Sequence, residues 1–250
     1  MKKICFVLFL CLQITFVLTA QPISVSENDN QDIKETWNKV VLLQKNGKFP
    51  EAEKVLRELA SRHPNHAGVW SGLGYNLFRQ KKTDEAILAF KRSLNINPNW
   101  LSSNRYLGLV YLHQKQDYDS AILYLKKAYE LQFQDFKKRN IPLEKLGFFN
   151  TDLAEALFGA KRFEEASIEY EKFVALAPDK DYYKTQLAVC YLELKRLSEA
   201  ENIIKPMIDS NTENYRVWKI YADILTGQNK PSEADEAYQK YRNLCPKCKN

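Results

Sequence analysis

The sequence predicts an all-α fold assembled from one repeated helix-turn-helix unit, and three observations carry that expectation. Within residues 67 to 100, Trp70, Leu73, Gly74 and Leu77 fall on one stripe at helical spacing, and Ala86, Phe90 and Leu94 renew it after the polar break Lys81-Lys82-Thr83-Asp84. Pro98 then ends the second stretch. The same landmarks return along the chain at close to 34-residue spacing. A glycine inside a helix is less stable than alanine by about 1 kcal/mol, so Gly74 implies close approach of the partner helix, expected at Ala86.

Trp70, Leu73, Gly74, Leu77, Ala86, Phe90, Ser93 and Pro98 together resemble the tetratricopeptide pattern W-x2-L-G-x2-Y…A-x3-F…P, with Leu77 in place of the tyrosine. The resemblance implies a right-handed superhelical solenoid of about six repeats, each stabilised by its neighbours. It further implies an adaptor or scaffold, not an enzyme, which holds extended or helical partner segments on a concave face lined by first helices. Carried onto this sequence, that face includes Trp37, Ser71, Tyr75, Arg79, Arg105, Leu109, Glu155 and Lys219, with Lys34, Ser102, Thr151, Thr185, Val189, Arg216 and Asp223 beside them. Tyr75, Arg79 and Arg105 are expected to converge there as a basic, aromatic patch. The family's clamp for a C-terminal carboxylate is not matched, because Trp37, Val41, Gly72, Ser102 and Tyr106 stand at its positions.

Residues 1–20 read as a secretory signal peptide: Lys2 and Lys3 precede an apolar run from Ile4 to Leu18, and Ala20 precedes Gln21-Pro22. The run is shorter than the roughly 20 residues of a spanning helix, which favours cleavage over an uncleaved anchor. Residues 21–32, polar and aperiodic, read as a flexible linker. The array then occupies residues 33–250.

Its first repeat, 33–66, has Trp37, Val40 and Leu43 on one helix and Ala52, Leu56 and Leu59 on the next, joined through Gly47; Trp37 is one residue out of register. The second is 67–100. In the third, 101–134, Gly108 to Ala121 is 13 positions where Gly74 to Ala86 is 12, so a longer turn is expected. An insertion at about 135–146 holds Lys137-Lys138-Arg139, read as a solvated loop, and Pro142, suited to a helix start. Repeats at 147–180, 181–214 and 215–248 follow. Pro206, inside a second helix, predicts a kink at about 3 kcal/mol. The last helix carries Asp235, Glu236, Gln239, Lys240, Arg242 and Asn243 where a further repeat would dock, as a terminal unit requires.

Little in the chain suggests chemistry. Gly72-Leu73-Gly74 lacks the third glycine of a dinucleotide loop, because Leu77 stands there. His63 and His66 flank a turn and make a poor metal site alone. The reactive motif is Cys245-Pro-Lys-Cys248, which in an exported protein reads as a disulfide pinning the last helix; a thiol- or metal-dependent role is the alternative. A third reading makes Tyr75, Phe78 and Tyr182 stacking platforms for envelope polymers or sugars. No catalytic residues, cofactor or metal are called for. The net charge is +6, and losing Lys2 and Lys3 with the signal takes it to +4. That balance, with export to the periplasm or cell envelope, argues against nucleic acid and for a protein or peptide partner; it is also compatible with peripheral membrane contact.

Overall fold

The computed structural model describes residues 27–141, 151–245 and 247. Among these, twelve α-helices and no strand form six antiparallel pairs stacked as a solenoid. The first repeat is α1 (Glu27–Lys45) and α2 (Phe49–Arg62), the second α3 (Ala67–Arg79) and α4 (Thr83–Ile96). The third is α5 (Leu101–Val110), continued by a π-helical turn (Tyr111–Lys115), and α6 (Tyr118–Lys138). Then come α7 (Thr151–Gly159) with α8 (Phe163–Leu176), α9 (Asp181–Glu193) with α10 (Leu197–Asp209), and α11 (Tyr215–Gly227) with α12 (Pro231–Leu244).

Each pair turns on one residue in the left-handed region: Gly47, Lys81, Gln116, Lys161, Lys195 and Asn229, with φ between 54° and 71°. The residue after it donates its N–H to the carbonyl five positions back, as in Lys82 to Leu77 at 2.9 Å and Arg196 to Tyr191 at 2.8 Å, which closes the helix end. The third repeat differs. Asp117 reaches back six positions, to Tyr111 at 3.0 Å. Its extra residue therefore sits inside the first helix as the π turn and not in the connecting turn, where the sequence placed it.

The repeated tryptophan does more than fill space. Trp70 Nε1 donates to the Pro64 carbonyl at 2.9 Å and Trp218 Nε1 to the Thr212 carbonyl at 2.8 Å, each tying its helix to the end of the preceding repeat. Asn104, the equivalent residue in the third repeat, keeps that bond through Nδ2 to Pro98 at 3.0 Å. Gly74 does admit a close neighbour on the partner helix: a Cβ there would meet the Phe90 ring, one turn beyond Ala86, at 2.6 Å.

Two further boundaries move. α1 begins at Glu27, inside the expected linker, because polar contacts hold its start: Asp32 accepts from Arg62 Nη1 at 2.9 Å and meets His63 Nε2 at 2.7 Å. The expected loop after residue 134 is helical through Lys138, so Lys137 and Lys138 lie in the last turn of α6, where cations favour the helix dipole. Arg139 follows as its cap, paired to Asp135 at 3.2 Å, while Pro142 lies outside the described residues. Despite the insertion, α6 and α7 pack together, with the Tyr118 ring lying on Gly159. α10 runs unbroken through Pro206 to Asp209.

The buried core falls into two main clusters that meet at the π turn. One runs from Val40 to Val110, the other from Leu112 to Ile224, and Tyr111 packs against both.

Candidate functional site

First helices of neighbouring repeats leave cavities between them, and the candidate residues are distributed over three. The first, of about 350 Å³, lies among α1, α3 and α5. Its walls are the rings of Trp37, Trp100, Tyr75 and Tyr106, with Ser71 and His66 as polar points. Two glycines make the walls possible. A Cβ at Gly72 would meet the Trp37 ring at 2.5 Å and one at Gly68 the Trp100 ring at 2.9 Å, so both indoles lie against α3 one helical turn apart. The out-of-register position of Trp37 is what carries its ring over Gly72 and away from the capping role of Trp70.

Tyr75 and Tyr106 stand 4.9 Å apart between ring centroids, and Tyr106 stacks on the buried Phe90 at 6.2 Å. Burial raises the Tyr106 phenol above its usual value. Arg79 Nη1 donates to the Tyr75 hydroxyl at 2.7 Å, and its guanidinium covers the Phe49 ring at 4.7 Å. A phenol that accepts from arginine keeps its own proton for another acceptor. His66 accepts the Val69 N–H at 3.3 Å as helix cap, and burial holds its imidazole below the usual value, so it stays neutral there.

The second cavity, of about 410 Å³, lies between α9 and α11. Tyr182, Val189, Arg216, Lys219 and Asp223 line it. Asp223 holds Lys219 at 2.8 Å and accepts from the Tyr238 hydroxyl at 2.5 Å; the Lys219 ammonium is raised by that hydrogen bond. Arg216, exposed, extends past the Tyr215 ring at 6.0 Å.

Between them, a third cavity of about 320 Å³ holds Glu155, His113, Tyr118, Tyr170 and Tyr182. Glu155 accepts from the Tyr182 hydroxyl at 2.8 Å. Burial, and then this bond, pushes the Tyr182 phenol up to about 12. Beside it Arg105 Nη2 lies 3.8 Å from Asp152, whose carboxyl is raised by burial in spite of the guanidinium.

The structure thus brings Trp37, Ser71 and Tyr75 together, places Glu155 and Lys219 in separate cavities, and leaves Leu109 half-buried on α5. Tyr75 and Arg79 are joined, Arg105 lies 3.8 Å from Asp152 in the next repeat, and the guanidinium groups of Arg105 and Arg79 both act on the Tyr106 phenol beside Tyr75. Trp100 and Tyr106 were not among the sequence candidates for this wall. A tryptophan two residues after a helix-ending proline, in a turn too polar to bury it, was the available signal. Cys245 is disulfide-bonded, and Cys248 lies outside the described residues. Cys190 is a free thiol, buried and pushed up to about 12 by that burial, which keeps it from thiolate chemistry.

Comparison with known proteins agrees with this architecture. Residues 38–99 and 107–135 match two family models described as tetratricopeptide repeat. The chain is 24% identical over 200 residues to a peroxisomal targeting signal receptor of Komagataella phaffii, covering 77% of this chain and 33% of that protein. It is 23% identical over 211 residues to the tetratricopeptide repeat-containing protein trd-1 of Caenorhabditis elegans, covering 84% and 25%. The chain spans a quarter to a third of the length of these curated relatives. Among solved structures it is similar to YrrB, a TPR protein with an unusual peptide-binding site, with TM-score 0.62, 14% identity and coverage of 76% and 92%. It is similar also to Pseudomonas aeruginosa pilF, with TM-score 0.60, 13% identity and coverage of 88% and 95%. At these identities the solved structures establish likeness of fold alone.

Proposed function

Because the chain is a tetratricopeptide-repeat protein, we propose that it is an exported scaffold without catalytic activity of its own, which holds a segment of a partner protein along the face built by the first helices. The observation that carries this reading is the pair of cavities, about 350 and 410 Å³, that open between first helices at the two ends of the array. Their chemistries differ. The ring-walled cavity accepts an aromatic or branched aliphatic side chain, with the Tyr75 proton for an acceptor beside it. The second offers Arg216 and Lys219 to a carboxylate. A segment with an apolar anchor and a separate acidic residue satisfies both. Export is supported by Lys2, Lys3 and the apolar run before Ala20, and places the protein in the periplasm or cell envelope.

Peptides selected from a random library against the purified protein provide the test, with dissociation constants read from tryptophan fluorescence. Trp37→Ala and Lys219→Glu should each weaken the selected peptides about tenfold, and only the second loss should shrink as salt is raised. Unchanged affinity in both variants would place binding off this face. N-terminal sequencing of the protein recovered from cells should begin at Gln21; a chain beginning at Met1 in the cytosol would overturn export.

A further inference from the structure

The outer face of the array carries a pattern that the inner-face reading does not use. Leu88, Leu123 and Ile168 are 69%, 65% and 46% exposed. Each stands two residues after the buried alanine of its second helix, Ala86, Ala121 and Ala166, so the three occupy one position in repeats two, three and four. The other repeats place Lys54, Asn202 and Glu236 there. The aliphatic row is therefore confined to the middle of the solenoid and bounded by polar residues on both sides.

Charge is arranged about the same row. On α4, Asp84 and Arg92 lie four residues before and after Leu88; on α6, Asp119 and Lys127 flank Leu123; on α8, Glu164 and Lys172 flank Ile168. Residues four apart lie on one helix face. Each of the three helices thus presents acid, aliphatic and base in that order along its outward stripe. Repeats one, five and six do not, with Pro50 and Glu58, Ser198 and Pro206, and Ser232 and Lys240 at the flanking places. The outer helices also stand side by side, because Arg57 of α2 reaches Glu85 of α4 at 2.5 Å and Lys126 of α6 reaches Glu165 of α8 at 3.2 Å.

Acid, aliphatic, base is self-complementary when two such stripes meet antiparallel: aliphatic faces aliphatic, and each acid faces the other's base. A two-fold axis along the row achieves this for all three helices at once, which is the condition of an isologous contact. We propose that the outer face of α4, α6 and α8 is the interface of a homodimer, joined by a second copy of this chain back to back. On α4 and α8 part of the charge is already engaged within the chain, Asp84 with Lys115 at 2.7 Å, Glu164 with Arg196 at 3.4 Å and Lys172 with Glu169 at 2.9 Å, whereas in α6, at the centre, Asp119 and Lys127 form no ion pair among the described residues, so the second copy is engaged chiefly there. The row is short, and a contact below the usual ~1,200 Å² implies a weak dimer, with a dissociation constant on the order of 10 µM. Both inner faces point away from the contact, so the dimer would present two partner grooves.

Sedimentation equilibrium on the purified protein, in the form that cells accumulate, tests this. The wild type should show a monomer–dimer equilibrium that weakens as salt is raised. Asp119→Lys and Lys127→Asp should each raise the dissociation constant about tenfold, and the double variant should return it to within about threefold of wild type, because each copy again carries one of each sign. Leu123→Asp should leave only monomer, with an unchanged circular dichroism spectrum. A monomer at all concentrations up to ~0.5 mM, a dimer indifferent to the single reversals, or a double variant no better than either single would overturn the proposal.

Discussion

The two halves of this solenoid meet the same packing problem differently. In the second and third repeats, Gly74 and Gly108 let a Phe90 or Leu125 side chain press onto the first helix. In the fourth, fifth and sixth, the same position is Ala154, Ala188 and Ala222, each fully buried. The inner faces diverge as well. The amino-terminal half adds Gly68 and Gly72 and lays two indoles over them, producing an aromatic cavity; the carboxy-terminal half keeps Cβ atoms and lines its cavity with Arg216, Lys219 and Asp223. Glycine under the groove is thus what lets Trp37 and Trp100 lie over α3, whereas the cavity between α9 and α11, whose lining contains no glycine, is edged by charge.

The severest way to break this contrast is Gly74→Leu. The added side chain would strike the Phe90 ring, itself fully buried, and overpacking of this kind should cost about 3 kcal/mol or more. Ala188→Gly, the opposite change in the other half, should cost less, about 1 kcal/mol of helix propensity and roughly another 1 kcal/mol for the buried methyl it removes. Thermal melts of both variants compare the halves directly, and equal losses would show that the glycines are incidental.

A smaller difference lies at the turns. Burial alone would raise Glu53, but hydrogen bonds from Lys82 and Gln80, both 2.8 Å, and from Arg57 at 2.8 Å outweigh it and hold the carboxyl below its usual value. Its contribution is present above the unfolded value near pH ~4.3 and is lost as pH falls through the lowered folded value. Glu53→Gln should therefore lower the melting temperature at pH 7, and the gap should close on acidification below pH ~4. Glu201 in the other half receives the Gln228 amide at 2.6 Å and no cation among the described residues, so Glu201→Gln should cost less at pH 7.

The smallest effect separates the first repeat from the rest. Gly47 turns it without strain, whereas Lys81 and Lys195 take the left-handed conformation with side chains that disfavour it. Lys81→Gly and Lys195→Gly should each stabilise by about 1 kcal/mol, and Gly47→Ala should destabilise by a similar amount. Denaturant melts resolve changes of that size.

Much of this molecule was legible in its sequence because repetition multiplies a weak signal. One amphipathic pair is ambiguous, but the return of alanine and the aromatic landmarks marks the twelve α-helices found among the described residues and most of their core. Legibility failed where contacts are polar or non-local. The start of α1 depends on Asp32 reaching α2, a link with no apolar period. Gly74 marks a close approach in the sequence, but the Phe90 ring that lies nearest is not marked, since spacing gives the facing turn and not which side chain fills it. Of the candidate site, Trp37, Ser71 and Tyr75 fell together because they share an inward position, while Trp100 joins them from the turn before α5, where no periodicity points. Arg105 shares that inward position yet pairs with Asp152 of the next repeat, which a position rule cannot anticipate.

The π turn at Tyr111–Lys115 bears on how such an array can change over time. An added residue would ordinarily rotate everything downstream by about 100° about the helix axis. Here the wide turn absorbs the phase error within five residues, and Ala121 and Leu125 return to the core as if nothing had been added. Only the residues within it are re-aimed, and His113 is among those that border the middle cavity. Single-residue insertions in a first helix are therefore a route by which the groove can acquire a new side chain while the neighbouring repeats keep their register, and a protein engineer could use the equivalent place in another repeat for the same purpose.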